Sequence, residues 1–386
     1  MRTKAPQLLT GGEAVAHAMR QIDPDVVPVY PITPQTPIIQ KFASFVADGK
    51  AETEIINVES EHSAMSAAIG AALAGARTIT ATSSQGLALM AEVVYIAAAM
   101  RAPIVVAIGN RALSGPINIH ADHSDSMLVR DSGVIQLFAE NAQEAYDLML
   151  LATRLAEHPD VLLPVFVCQD GFTITHSAEP VELLDDEAVR EFVGEYRIPF
   201  PLLDIARPTS QGTFAMPDYY FELRHHLDVA MDAARDALPA LSNELSLRTG
   251  RTYPALEEYE LAGAERVVIA MGSTAGTAKD VVDELRAAGE PVGLVRVVSF
   301  RPFPATELRS ALADAHDVFV LDRAASPGAA APLFAEAAAA LYGSRATLHS
   351  HVYGLGGRDL GPDGLRELFA GDATAYIGLR SAPCPA

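Results

Sequence analysis

VVPVYPITPQTPIIQKFASFVA at residues 26–47, EIINVESEHSAMSAAIGAALA at 54–74 and TITATSSQGLALMAEVVYIAAA at 78–99 each carry a short β-rich run directly into a helix-period run. The strand patterns cover 26–30, 54–58 and 78–82, and the helix patterns 37–47, 62–74 and 86–99. Strands that alternate with helices predict parallel pairing and right-handed crossovers. All three junctions then fall on one edge of an open sheet, the carboxyl edge, where such folds bind ligands.

The same rhythm extends outward, with helices over 13–22 and 143–157 and strands over 104–108 and 161–168. Runs such as VVPVY, PIVVAIG and VLLPVFVC are continuously apolar, as expected of strands covered by helices on both faces. Between about 177 and 263 the rhythm breaks into a segment rich in acids and prolines (Pro199, Pro201, Pro208, Pro217), with one amphipathic helix expected over 221–238. It reads as a long connection draped over its neighbours, which is uncommon unless functional. From residue 265 strand and helix alternate again: strands 266–270, 292–298, 318–321 and 348–352, helices 274–288, 305–315, 332–341 and 362–369. The expected organisation is an α/β domain over 1–178, an extended connection over 179–263 and a smaller α/β domain over 264–386.

With 49 acidic against 28 basic side chains, the formal charge is −21. Nucleic acid and anionic membrane would repel such a chain, whereas a less acidic subunit would not. The two cysteines, Cys168 and Cys384, are too few for a disulfide framework or a four-thiolate cluster, so no iron–sulfur centre is expected here. Two basic residues near the start precede no long apolar run, and no window approaches about 18 uninterrupted apolar residues. A cytoplasmic location is the expectation.

Several words stand at the strand ends: Tyr30-Pro31-Ile32-Thr33-Pro34, Glu59-Ser60-Glu61-His62, Thr82-Ser83-Ser84-Gln85-Gly86, Asn110-Arg111-Ala112-Leu113 and Asp122-His123-Ser124-Asp125. Together they resemble the α subunits of the pyruvate:ferredoxin oxidoreductase family, within the 2-oxoacid:ferredoxin oxidoreductases. The resemblance covers nearly the whole chain and is sharpest before Cys168. It implies a doubly wound, pyrimidine-binding domain of the thiamine-diphosphate type, followed by a transketolase C-terminal-like domain. The implied reaction takes pyruvate, coenzyme A and oxidised ferredoxin to acetyl-CoA, CO₂ and reduced ferredoxin. Sister enzymes acting on 2-oxoglutarate, branched-chain oxoacids or oxalate, and a noncatalytic scaffold of the same fold, are the alternatives.

The resemblance also implies roles. Thiamine chemistry needs a carboxylic acid against N1′ of the aminopyrimidine, so that the 4′-imine can remove the C2 proton. Glu61 occupies the matching place, and an apolar pocket would favour its protonated form. The plainer reading is that Glu59 and Glu61 only favour a helix N-terminus. Thr33, held between two prolines, would bond the oxoacid, or else cap the next helix. Arg111 would grip the substrate carboxylate with its planar guanidinium, or else answer nearby acids. Pro31, Ile32, Ser84 and Gln85 would border the cofactor, the word at 82–86 leaving N–H groups and hydroxyls free for a ligand. Asp122, His123 and Asp125 would order a loop over the site and face the partner subunit. Read as a metal site, the run from His120 to Asp125 lacks a further His or Cys cluster at ligand spacing.

Two other segments carry weaker signals. The run Gly354 to Asp359 lacks the full dinucleotide fingerprint and reads as a turn closing the small domain. The segment Gly171 to His176 resembles a family loop with no catalytic duty. The Gly-Asp-Gly word with a later Asn, which holds the diphosphate and its Mg²⁺, is missing; Asp170-Gly171 and Asp363-Gly364 lack its setting. The implied assembly therefore includes a β subunit with the diphosphate and Mg²⁺ site, and γ and ferredoxin-like δ subunits, or a fusion of them, carrying [4Fe-4S] clusters. Ferredoxin and the small 2-oxoacid complete the set, with coenzyme A as co-substrate.

Overall fold

The computed structural model describes residues 5–380, so Cys384 lies outside the described residues. Among the described residues, fourteen strands and twelve α-helices follow in chain order. The first stretch is β1 (Gln7–Thr10), α1 (Gly11–Ile22), β2 (Val26–Val29), α2 (Thr36–Ala47), β3 (Glu54–Asn57), α3 (Glu61–Ala74), β4 (Thr78–Thr82), α4 (Ser84–Ala99) and β5 (Ile104–Asn110). Next come α5 (Ser124–Leu128), β6 (Ile135–Phe138), α6 (Ala142–Ala156), β7 (Val165–Asp170), β8 (Ala178–Val181), α7 (Asp186–Val193), α8 (Pro217–Thr249) and β9 (Leu256–Tyr259). The last part holds β10 (Arg266–Ala270), α9 (Thr274–Ala287), β11 (Val292–Val297), β12 (Ser299–Arg301), α10 (Ala305–Ala311), β13 (Asp317–Asp322), α11 (Pro332–Ala340), β14 (Thr347–Val352) and α12 (Pro362–Ala370).

These strands form a seven-stranded sheet in the order β12-β6-β7-β5-β4-β2-β3, a five-stranded sheet in the order β14-β13-β10-β11-β9, and the small pair β1-β8. Within the larger sheet every pairing is parallel except β12 with β6. The chain is thus α/β, as the alternation of patterns predicts. Helices such as α1 and α6 bury long apolar faces against β2, β5 and β7 in one continuous core, while α3 and α4 cover the other face in a core shared with residues of the second sheet. No helix of the described residues is long and apolar enough to cross a membrane.

Where the structure departs from the periodicity, the causes are local. The strand expected over 161–168 begins only at Val165, because Pro164 has no N–H for the ladder and Leu162 has a positive φ of 45°. It then continues through the polar Gln169 and Asp170, which pair with Gly109 and Asn110 of β5. Short strands β6 and β12 are too brief to show a period. The helix expected over 221–238 runs 33 residues from Pro217, with Pro239 inside it. Leu241 and Leu245 beyond that proline are buried in the core, so tertiary packing offsets the roughly 3 kcal/mol that an interior proline costs. The same region holds a second helix, α7, whose Ala188, Val189, Phe192 and Val193 are buried. At the sheet edge β3 is largely exposed, unlike the doubly covered strands to its side.

Candidate active site at the carboxyl edge

Strand ends of the seven-stranded sheet supply the site. After β3, the Ser60 hydroxyl caps α3 by accepting from the Ser63 amide at 3.2 Å, and exposed Glu59 accepts from Ser63 Oγ at 2.6 Å. Glu61 is the first residue of α3, so the macrodipole favours its charge, yet it is only 7% exposed. Its carboxyl makes no hydrogen bond or ion pair with another of the described residues. The macrodipole reading does not account for a carboxyl placed in a crevice with no partner among the described residues, which leaves its oxygens available to a ligand group. Gly86 makes the space, since a Cβ there would lie 2.7 Å from Glu61 Oε1 and 2.5 Å from Thr82 Oγ1.

After β2, the proline turn is closed by buried Gln35, whose Nε2 donates to the Tyr30 carbonyl at 2.9 Å. Exposed Pro31 and half-buried Ile32 form its outer surface, with Thr33 exposed beside them. Thr33 does not cap α2; that helix starts at Thr36 with Gln35 at its cap, because Pro34 and Gln35 take up the turn first. The alternative role is thereby corrected, and the Thr33 hydroxyl remains open to solvent. Its carbonyl accepts from Arg111 Nη1 at 2.9 Å, and Arg111 Nε donates to the Asn118 carbonyl at 3.0 Å. Arg111 forms no ion pair with any described residue, so the reading in which it answers nearby acids fails, and Nη2 is left for a further acceptor.

Asp125 ties these segments together. Fully buried, it accepts from Ser84 N at 2.9 Å, Arg111 N at 3.0 Å, Asn110 Nδ2 at 2.9 Å and Ser126 N at 2.8 Å. Burial pushes its carboxyl up to about 6 while those donors pull the other way. Ser84 has a positive φ of 46°, a conformation that costs a non-glycine residue about 1–2 kcal/mol, and its Oγ donates to the Ala112 carbonyl at 2.5 Å. The expectation that Ser84 offers free groups to a ligand is therefore corrected: both are consumed in holding the start of α4 to the segment that follows β5. Gln85 stays exposed, its Oε1 accepting from Ser114 N at 2.8 Å.

Asp122 and His123 are buried. Asp122 accepts from Ser124 N at 2.7 Å. His123 Nε2 faces Asp170 Oδ1 at 2.6 Å, and its amide donates to the Arg323 carbonyl at 2.8 Å. Asp170 accepts in addition from Arg323 Nη1 at 2.9 Å and from Ser273 N and Oγ at 2.9 and 2.5 Å. Burial alone would raise its carboxyl, but Arg323 and His123, with hydrogen bonds from His123 and Ser273, hold it well below the usual carboxylate range. The loop at 122–125 thus locks the two α/β units to each other, with the His123 and Asp125 side chains buried within the chain. Gly356 and Gly357 dock on the same loop, through Asn118 Nδ2 to Gly356 O at 3.1 Å and Gly357 N to Ala121 O at 2.8 Å. That turn joins the units rather than closing the smaller one. Asp363, at the start of α12, pairs with Arg366 at 2.5 Å.

The strand-end words therefore come together as two adjoining groups, Glu61 with Thr82 and Gly86, and Thr33 with Arg111, Ser84 and Asp125. Sequence reasoning missed Asp170 and Arg323 as members, and quoted Thr82 and Asn110 within their words without giving either a role of its own. The signal for Asp170 was present, a carboxylate two residues past the apolar run of a strand.

Comparison with known proteins gives a consistent picture. The family profile described as "Pyruvate flavodoxin/ferredoxin oxidoreductase, thiamine diP-bdg" matches residues 17–241, and "Pyruvate:ferredoxin oxidoreductase core domain II" matches 264–365. The chain is 54% identical to the pyruvate synthase subunit PorA of Thermotoga maritima, covering 96% of this chain and 97% of that one. It is 45% identical to the PorA subunit of Methanocaldococcus jannaschii, over 97% and 98% of the two chains. To the ketoisovalerate oxidoreductase subunit VorA of Pyrococcus abyssi it is 42% identical, over 92% and 90%. Among solved structures, a 2-oxoglutarate:ferredoxin oxidoreductase from Magnetococcus marinus, with 2-oxoglutarate, coenzyme A and succinyl-CoA bound, superposes with a TM-score of 0.74 at 18% identity. That match covers 96% of this chain but only 65% of the other, just under two thirds, and bears on the fold alone.

Proposed function

Because the chain belongs to the pyruvate:ferredoxin oxidoreductase family, we propose that it is the α-type subunit of a multi-subunit pyruvate synthase, converting pyruvate, coenzyme A and oxidised ferredoxin reversibly to acetyl-CoA, CO₂ and reduced ferredoxin. The observation that carries the site assignment is the buried Glu61 carboxyl, unpartnered among the described residues, at the carboxyl edge. A ring nitrogen that accepts a proton suits that carboxyl, and Gly86 leaves room for the Glu61 side chain that a Cβ there would displace. Thiamine diphosphate, when bound, supplies the carbon nucleophile for the oxoacid.

This chain's own residues do the rest of the work on this side of the site. Glu61 holds and returns the proton at N1′. Arg111, fixed by two carbonyls, presents Nη2 to the substrate carboxylate. The Thr33 hydroxyl, on a rigid turn, bonds the oxoacid, and Pro31, Ile32 and Gln85 line the pyrimidine side. Asp125 keeps Ser84 and Arg111 in register. A β subunit holds the diphosphate and Mg²⁺, and γ and ferredoxin-like δ subunits, or a fusion of them, carry the [4Fe-4S] clusters, in a cytoplasmic complex.

Two experiments test this. In the purified complex, pyruvate should reduce a viologen dye faster than 2-oxoglutarate or 3-methyl-2-oxobutanoate; faster turnover of either competitor would reassign the substrate to a sister enzyme. Substituting Arg111→Ala should raise the KM for pyruvate by about 10- to 100-fold, the range for a lost charge-assisted bond of roughly 1.5–3 kcal/mol. An unaltered KM would remove Arg111 from the substrate site.

A further inference from the structure

The connection between α7 and α8 presents an apolar surface that the described elements leave uncovered. From 200 to 223, all of them described residues, none is buried. Yet ten of them are large apolar side chains with at least 38% of their surface exposed, among them Ile205 at 95%, Phe214 at 89% and Phe221 at 78%. Segments that stay disordered are poor in such residues, and a monomer seldom leaves so many together in water. The segment is tied to its own chain at few points. Leu202 N donates to the Leu73 carbonyl at 2.9 Å near the end of α3, and a Cβ at Gly212 would lie 3.4 Å from Met100 Cε just past α4. Burial this slight does little to offset the entropy of ordering the segment, so its apolar side chains suit a second surface.

Its position singles out one occupant. The segment crosses the C-terminal ends of α3 and α4, whose N-terminal residues Glu61 and Ser84 to Gly86 stand at the site. Between the two ends, Leu89, Glu92, Ile96 and Ala99 are exposed and recur at helical spacing, so they share the outer face of α4. Glu92 lies 3.8 Å from His62 on α3, where the exposed positions are the small Ser66 and Gly70. A surface short of charge thus runs from the site to the segment for about 24 Å, the length of the 16-residue α4 at 1.5 Å per residue. A chain that met the coenzyme at the site and lay along this surface would reach the segment at its far end. We propose that residues 200–223 are a docking arm for the subunit that carries the diphosphate and Mg²⁺ half of the coenzyme site, which seats on α3 and α4 and buries the arm's aromatic side chains. The proposal rests on the reading that another chain completes the site. A second copy of this chain would bring a further Glu61 and no Gly-Asp-Gly word, so it does not complete the coenzyme.

The test uses the native complex with the photoreactive residue p-benzoylphenylalanine replacing Phe214 or, separately, Ile205. Irradiation should crosslink this chain to the diphosphate-carrying subunit from both positions. Crosslinks to a second copy of this chain, crosslinks to other subunits alone, or none, overturn the proposal. In parallel, Phe214→Ser combined with Phe221→Ser should weaken retention of that subunit at least about 10-fold, the effect of truncating buried aromatic anchors. Native mass spectrometry across a dilution series reads that loss. Because both side chains are exposed on this chain, its own melting temperature should stay within about 2 °C. Wild-type retention in the folded double variant overturns the proposal; if the variant does not fold, the crosslinks decide. Coenzyme binding tests the premise separately. Tight binding of thiamine diphosphate and Mg²⁺ by this chain alone would defeat the reading that the site is shared, whereas a shared coenzyme with crosslinks elsewhere defeats only the arm.

Discussion

In the assembled enzyme, Glu61→Gln is expected to slow exchange of the C2 proton of bound thiamine by about 10²- to 10⁴-fold, the range that a positioned proton-transfer group supplies. Glutamine matches the shape of glutamate, and the carboxyl has no partner among the described residues to lose, so folding and assembly should be retained. What disappears is an acid that can hand a proton to the ring and take it back. The measurement is deuterium exchange into bound coenzyme, read after acid quench, with coenzyme content and melting temperature checked in parallel. Exchange at the wild-type rate, with the coenzyme fully bound, would rule Glu61 out as the acid. Substrate binding should change little, which separates this variant from Arg111→Ala.

Arg323→Met is expected to destabilise the chain by about 3–5 kcal/mol, because it leaves Asp170 buried with its main counter-charge removed. At roughly 2–4 °C per kcal/mol for units of this size, the melting temperature should fall by on the order of 10 °C. The pH dependence has a fixed sign. Asp170 is held below its unfolded value of about 3.9, so its contribution is complete above that pH and is lost as the pH falls further toward the depressed value. The gap between wild type and Arg323→Met should therefore be widest near neutrality and narrow in acid. A double variant that also carries Asp170→Asn should recover part of the loss, since it removes the stranded charge. Equal melting temperatures for wild type and Arg323→Met would mean that the pair contributes nothing to holding the two units together.

Much of this site could be read before any coordinates. Glu61 stands at the end of a strand and the start of a helix, and that local pattern places it on the carboxyl edge whatever else the chain does. Thr33 and Arg111 follow by the same logic, the one in the turn after β2 and the other directly after β5. What could not be read is contact across long separations. Asp170 and Arg323 are 153 residues apart, and no local pattern ties them; Asp170-Gly171 drew attention only as a fragment of a diphosphate motif. Asp125 is similar, since its four donors come from β5, α4 and its own loop, and sequence alone shows only a polar loop. The helix expected to end at 238 runs on through Pro239. A proline ends an isolated helix, yet the burial of Leu241 and Leu245 carries α8 past it.

The strand β12 comes from the second half of the chain and closes one side of the large sheet by running antiparallel to β6. A fragment cut anywhere between residues 264 and 298 would strip β6 of that neighbour and bare its unpaired amides and carbonyls, a template for self-association. The chain is accordingly not a string of separable modules: expressed in halves, its front piece would be sticky, and its rear piece would dangle an orphan strand.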